Sequence, residues 1–185
     1  MPSDLKLAIW DIDGTIVDSR QVIQRAMARA FERAGLPPIE YDRTRTLYEG
    51  ARETIERLAG EGWLLGVATG KARRGLDIVF GHHDLHRYFD TFQTVDGGAG
   101  KPHPRMVLDA MKETGTDPHQ AVMIGDTSFD MEMGRNAGVH TLGVSWGFHT
   151  EDEIRGGGAH DVHHDFDALN RALDLFGRGV EESAA

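Results

Sequence analysis

The chain has 185 residues, 20 Lys plus Arg against 30 Asp plus Glu, a formal charge of −10, and no cysteine. The missing cysteines exclude a disulfide framework, a thiolate zinc site and a thiol nucleophile. The acidic balance argues against a nucleic-acid partner, whose binding rests on clustered Lys and Arg. No apolar run approaches the roughly 20 residues a membrane helix needs, and the first six residues show no basic stretch leading into an apolar one, so a cytoplasmic protein is expected.

Residues 5–10 read as a buried strand that runs into Asp11-Ile12-Asp13-Gly14-Thr15. Residues 19–34 follow with Val22, Ile23, Ala26, Met27, Ala30, Phe31 and Ala34 at helical spacing, closed by Gly35, Pro37 and Pro38. Residues 51–60 repeat the helical pattern. Residues 63–69 form a second apolar run ending in Thr69, and residues 91–95 a weaker third. Pro104 suits the first turn of a helix that stops at Gly115. Strands are expected over 121–125 and 140–144, and helices over 129–137 and 165–176. Strands alternating with helices define an α/β fold: a Rossmann-like parallel sheet of about five strands flanked by helices. Such sheets hold ligands beyond the carboxyl ends of their strands.

Two strand ends are acidic. Asp11 and Asp13 leave the first, and Asp126 and Asp130 follow the fourth within Gly125-Asp126-Thr127-Ser128-Phe129-Asp130. Each pair alone reads equally as helix-capping and turn carboxylates. Two such ends in one parallel sheet supply a carboxylate cage, and hard Mg²⁺ prefers oxygen ligands. Ala68-Thr69-Gly70-Lys71 places a hydroxyl and backbone N–H groups where phosphate oxygens can be held. Gly97-Gly98-Ala99-Gly100-Lys101 brings a lysine from a glycine-rich loop.

In this order the four elements resemble the haloacid dehalogenase-like hydrolase superfamily: Asp11-Ile12-Asp13-Gly14-Thr15 its nucleophile motif, Thr69 its second, Lys101 its third, and the stretch from Gly125 to Asp130 its fourth. Tyr48-Glu49-Gly50-Ala51-Arg52-Glu53 and Val144-Ser145-Trp146-Gly147 look like the phosphoglycolate-phosphatase-like branch. The resemblance implies a Mg²⁺-dependent phosphatase for small phosphomonoesters, with phosphoglycolate the favoured substrate. Asp11 is then the nucleophile and Asp13 the general acid and base. Thr69, Gly70 and Lys101 bind phosphate. The metal is held by Asp11, the backbone carbonyl of Asp13, Asp126 and Asp130. A sugar phosphomutase of the same superfamily and a catalytically weak phosphate-binding or interaction module are the alternatives.

The resemblance also implies a helical cap between the first two motifs. Asp11 and Thr69 lie 58 positions apart, too few for a full one. The expected organisation is a catalytic core over 1–15 and 48–177, a cap remnant over 16–47, and a flexible tail over 178–185. The apolar stripe of the remnant helix is a candidate homodimer surface. Gly143-Val144-Ser145-Trp146-Gly147 fits the nucleophile elbow of serine hydrolases, with Asp161 and His163 following in order. No oxyanion-loop motif precedes it, and a turn is expected. The histidines at 82, 83, 86 and at 160, 163, 164 are expected on a solvated surface.

Overall fold

The computed structural model describes residues 4–19 and 46–184. The expected helix over 19–34, and with it the cap remnant and its dimer surface, lies outside the described residues apart from its ends. The strands are β1 (Leu7–Trp10), β2 (Leu64–Thr69), β3 (Thr91–Thr94), β4 (Ala121–Gly125), β5 (His140–Val144) and β6 (Asp161–His163). The helices are α1 (Ala51–Gly60), α2 (Arg73–His83), α3 (Arg105–Thr114), α4 (Ser128–Ala137), α5 (Glu151–Gly156) and α6 (Phe166–Ala184). None of them is long and apolar enough to cross a membrane.

The six strands form one parallel sheet in the order β3-β2-β1-β4-β5-β6. The strand order reverses between β1 and β4, so their carboxyl ends open side by side. Side chains alternate across the sheet. Ala8 and Trp10 enter one apolar layer with Leu65, Val67, Val122 and Ile124, against Ile55, Leu58, Phe80 and Leu169. Leu7 and Ile9 enter the other with Met123, against Met106, Val107, Ala110 and Met133. Both faces are therefore covered, which explains why β1 and β4 read as unbroken apolar runs.

Two expectations are corrected and one helix is added. The sheet has six strands, not about five: β6 is a three-residue edge strand whose Asp161-Val162-His163 carries no apolar run to signal it. Helix α2 was not expected, although Leu76, Val79 and Phe80 are its buried residues at helical spacing. The closing helix begins at Phe166 and continues to Ala184, across the stretch expected as tail. Val180 is buried there, and Lys6 Nζ meets Glu181 Oε1 at 2.7 Å.

Candidate active site

Asp11 stands immediately beyond β1, and its N–H donates to Ile124 O on β4 at 2.9 Å. The chain then turns tightly, with Ile12 O accepting from the N–H groups of Ile16 and Val17. Gly14 makes the turn at φ +91°, where a Cβ would collide with the Asp126 carboxylate. Asp126 stands beyond β4 and is fully buried. Its Oδ1 accepts from Thr15 Oγ1 at 2.9 Å and its Oδ2 from the Phe148 N–H at 2.8 Å. Asp130 lies in the first turn of α4. Its Oδ2 accepts from the Thr127 N–H at 3.0 Å and from Thr127 Oγ1 at 2.6 Å, while Thr127 caps the helix. That leaves Asp130 Oδ1 for Lys101, whose Nζ lies 2.5 Å away and 2.6 Å from Asp11 Oδ1.

Asp11, Asp126 and Asp130 each offer a carboxylate oxygen within 4.8 Å of the others, and all three are buried. Among the described residues no other set of three His, Asp or Glu meets that condition. Three buried carboxylates face one ammonium, so the site is electrostatically short of positive charge. Burial pushes the Asp11 carboxyl up to about 8; Lys101 opposes the shift, while Asp130 and Asp126 add to it. Burial, then Asp130, raises Asp126 to about 6, against the hydrogen bonds from Phe148 and Thr15. Burial works against the Lys101 ammonium, but Asp11 and Asp130 outweigh it and raise its pKa. A hard divalent cation fits this donor set, being an all-oxygen site with excess negative charge and no competing soft ligand.

A cavity of about 290 Å³ opens over the cluster, lined by Asp11, Asp13, Thr69, Gly70, Lys101, Thr127 and Phe129. The structure thus brings together every residue expected at the nucleophile and phosphate positions. Thr69 ends β2, and its Oγ1 accepts from the Lys71 N–H at 3.2 Å. The Asp13 carboxylate stands apart from the buried trio and pairs with Lys71, Oδ2 to Nζ at 2.8 Å. Thr15, Lys71, Thr127, Phe129 and the Phe148 main chain had no role in the sequence reading. The first four sit inside or beside the motifs; Phe148 is distant, and only the return of the chain after β5 brings it in. A larger cavity of about 540 Å³ along Tyr48, Glu53, Trp146 and Phe166 touches none of the expected site residues.

The elbow-like serine is also resolved. Ser145 Oγ lies 2.7 Å from His164 Nδ1, not against His163, which is buried. The Ser145 N–H donates to His163 O at 3.0 Å, which ties the end of β5 to β6. Of the histidines expected at the surface, His82, His86, His160 and His164 are exposed, His160 while stacking on His140 with ring centroids 4.2 Å apart. His163 is the exception: the short strand β6 carries it inward, and it is buried.

The sheet order and the acidic cleft at its reversal point define a class: a Rossmann-like α/β core with a buried cluster of three carboxylates beyond its central strands. A family model described as haloacid dehalogenase-like hydrolase matches residues 40–144, more than half of the chain, and the chain belongs to that family. The matched span contains Thr69, Lys101, Asp126 and Asp130 and begins after Asp11 and Asp13. Among curated proteins, IndB of Dickeya dadantii, a probable phosphatase, is 29% identical over 80% of this chain and 85% of its own. The pyrophosphatase PpaX of Bacillus velezensis is 35% identical over 65% of this chain and 54% of its own, so the chain spans about half the length of that relative. Among solved structures, a predicted phosphatase from Clostridium acetobutylicum superposes with a TM-score of 0.81 at 20% identity, over 94% of this chain and all of the other. A predicted phosphoglycolate phosphatase from Haemophilus somnus does so with 0.82 at 18%, over 92% and 99%. These two share the fold.

Proposed function

We propose that the chain is a Mg²⁺-dependent phosphatase that hydrolyses small phosphate compounds through an aspartyl-phosphate on Asp11. The observation that carries this reading is the juxtaposition of Asp11 with Lys101 on the floor of a cavity that also holds Thr69, Gly70 and Asp13. In it, an Asp11 oxygen attacks phosphorus in line as the bond to the leaving oxygen breaks, and Asp13 gives that oxygen its proton. Water then attacks the acyl phosphate, Asp13 takes its proton, and Asp11 and inorganic phosphate are released. Lys101, the Thr69 hydroxyl and the Gly70 N–H bear the charge on the transferring oxygens. Thr69 Oγ1 accepts from the Lys71 N–H, and its O–H is the donor it offers to phosphate in this reading. Mg²⁺ held by Asp11, Asp126, Asp130 and the Asp13 carbonyl would supply the positive charge the cluster lacks and draw charge from the phosphoryl group.

Phosphoglycolate remains the favoured monoester, and the PpaX relatives support pyrophosphate as a second candidate. The cytoplasm is the proposed location. The test is a screen of small monoesters and pyrophosphate with and without Mg²⁺, run beside Asp11→Asn. Metal-dependent turnover that falls at least about a thousandfold in Asp11→Asn is expected. No turnover on any substrate, or full activity in the variant, defeats the reading.

A further inference from the structure

The Asp13 carboxylate reaches into the cleft from a side chain that is one-quarter exposed, and something must hold it there. Lys71 does so, with Nζ 2.8 Å from Oδ2 and the lysine side chain itself only 15% exposed. The loop carrying Lys71 is pinned at both ends. Its own N–H donates to Thr69 Oγ1 at 3.2 Å. Two residues on, the Arg73 N–H at the start of α2 donates to Asp96 Oδ2 at 2.6 Å. Ala72 O accepts from the Gly75 N–H at 2.8 Å, closing the first turn of the helix.

Gly75 supplies the second observation. Glycine inside a helix is ordinarily unfavourable, and Gly75 is not among the left-handed glycines, so its backbone does not require one. Its space does. A Cβ at position 75 would stand 3.0 Å from Lys71 Cγ and 3.4 Å from Cδ, and beyond its chain neighbours and the helix backbone it would meet nothing else within 4 Å. The methylene stem of Lys71 therefore lies across the bare face that Gly75 leaves on α2.

We propose that Lys71 is the positioning residue of Asp13, and that Gly75 is a glycine so that the Lys71 stem can cross α2 to reach it. The inference rests on the phosphatase reading, in which Asp13 delivers the proton to the leaving oxygen. Asp13 also takes the proton of the attacking water, but kcat/KM reports only the steps through transfer to Asp11, and there Lys71 acts through the proton delivery alone. It fixes one carboxylate oxygen and so removes the rotational search that a surface aspartate would otherwise carry out in each turnover. The effect is selective. An alkoxide leaving group needs the proton as the P–O bond breaks, whereas p-nitrophenolate departs without it.

The experiment compares kcat/KM for p-nitrophenyl phosphate with that for the best alkyl phosphate among phosphoglycolate, glycerol phosphates and sugar phosphates. Lys71→Met, Lys71→Arg and Gly75→Ala are measured beside wild type, each checked for folding by circular dichroism. Lys71→Met is expected to lower the alkyl value about 30-fold and the aryl value less than about threefold. Lys71→Arg restores the alkyl value to within about threefold of wild type, and Gly75→Ala repeats the selective loss at about fivefold. Equal losses on both esters, no loss, or a wild type that cleaves the aryl but no alkyl ester overturns the proposal and leaves the phosphatase reading standing. A wild type inactive on every phosphate compound overturns the reading and this inference with it.

Discussion

The ammonium of Lys101 stands 2.6 Å from the Asp11 carboxylate at the floor of the cleft, and both side chains are almost wholly buried. Lys101 also meets Asp130 at 2.5 Å, so it neutralises a cluster rather than a single partner. Replacing it by methionine keeps the stem and deletes the charge. Breaking a buried pair by removing one partner costs about 3 kcal/mol, and Lys101→Met should lose stability of that order by urea denaturation at neutral pH. Turnover should fall at least about a hundredfold. A variant as stable as wild type would show that the carboxylates need no such counter-charge.

Three buried carboxylates with one lysine should take up a divalent cation with a gain in stability. At a Mg²⁺ concentration about 100 times Kd the gain is about 2.7 kcal/mol, read as a rise in melting midpoint. Asp126→Asn should abolish most of that rise. Asparagine can still accept from the Phe148 N–H and donate to Thr15 Oγ1, so the fold is kept while one charge is lost. An equal rise in both proteins would place the metal elsewhere.

Gly147 carries a different constraint. A Cβ there would run into the Asp126 side chain, which is fully buried and held on both oxygens. Gly147→Ala should therefore cost about 1–3 kcal/mol through overpacking and weaken Mg²⁺ binding by displacing Asp126. Unchanged stability and metal affinity in the variant would contradict the close approach.

Away from the cleft, His140 is held neutral. Burial lowers its pKa to about 4, and neighbouring His160, Arg135 and His163 add to the shift while Asp161 opposes it. In the unfolded chain the same group titrates near 6.5. As pH falls through 6.5 the unfolded chain takes up the proton first, so the stability held above that pH is lost on the way down to about 4. Discounted for water reaching a half-buried ring, the loss is about 1 kcal/mol by pH 5. His140→Phe keeps the ring and removes the titration, so its melting midpoint should drop less between pH 7.5 and 5 than that of wild type. His160 and His163, also lowered by burial, sustain the remaining slope. Parallel pH profiles would remove His140 from that account.

Much of this was legible in the chain. The unbroken apolar runs of β1, β2 and β4 are there because both faces of a parallel strand are covered. The two acidic strand ends are legible because Asp11 and Asp126, each just beyond a buried strand, come side by side where the strand order reverses. Short edge strand β6 left no signal, since three residues with one apolar side chain have no period. Helix α2 was masked by Gly75 and Gly81, residues that weaken a helical reading. The Lys71 stem lying across Gly75 accounts for the first of them.

By itself the sequence determined the parallel α/β class and the residues offering carboxylate, hydroxyl and ammonium groups, because local patterning and motif spacing act along the chain. The tertiary structure alone decided how those charges are shared. Asp130 divides its oxygens between the Thr127 cap and Lys101, Asp126 draws a hydrogen bond from Phe148 far along the chain, and Asp13 leaves the buried trio for Lys71. That partition follows from distances of a few ångströms across the sheet, which no spacing in the sequence encodes. A small part of the −10 charge thus gathers at the site, where three buried carboxylates face a single buried lysine.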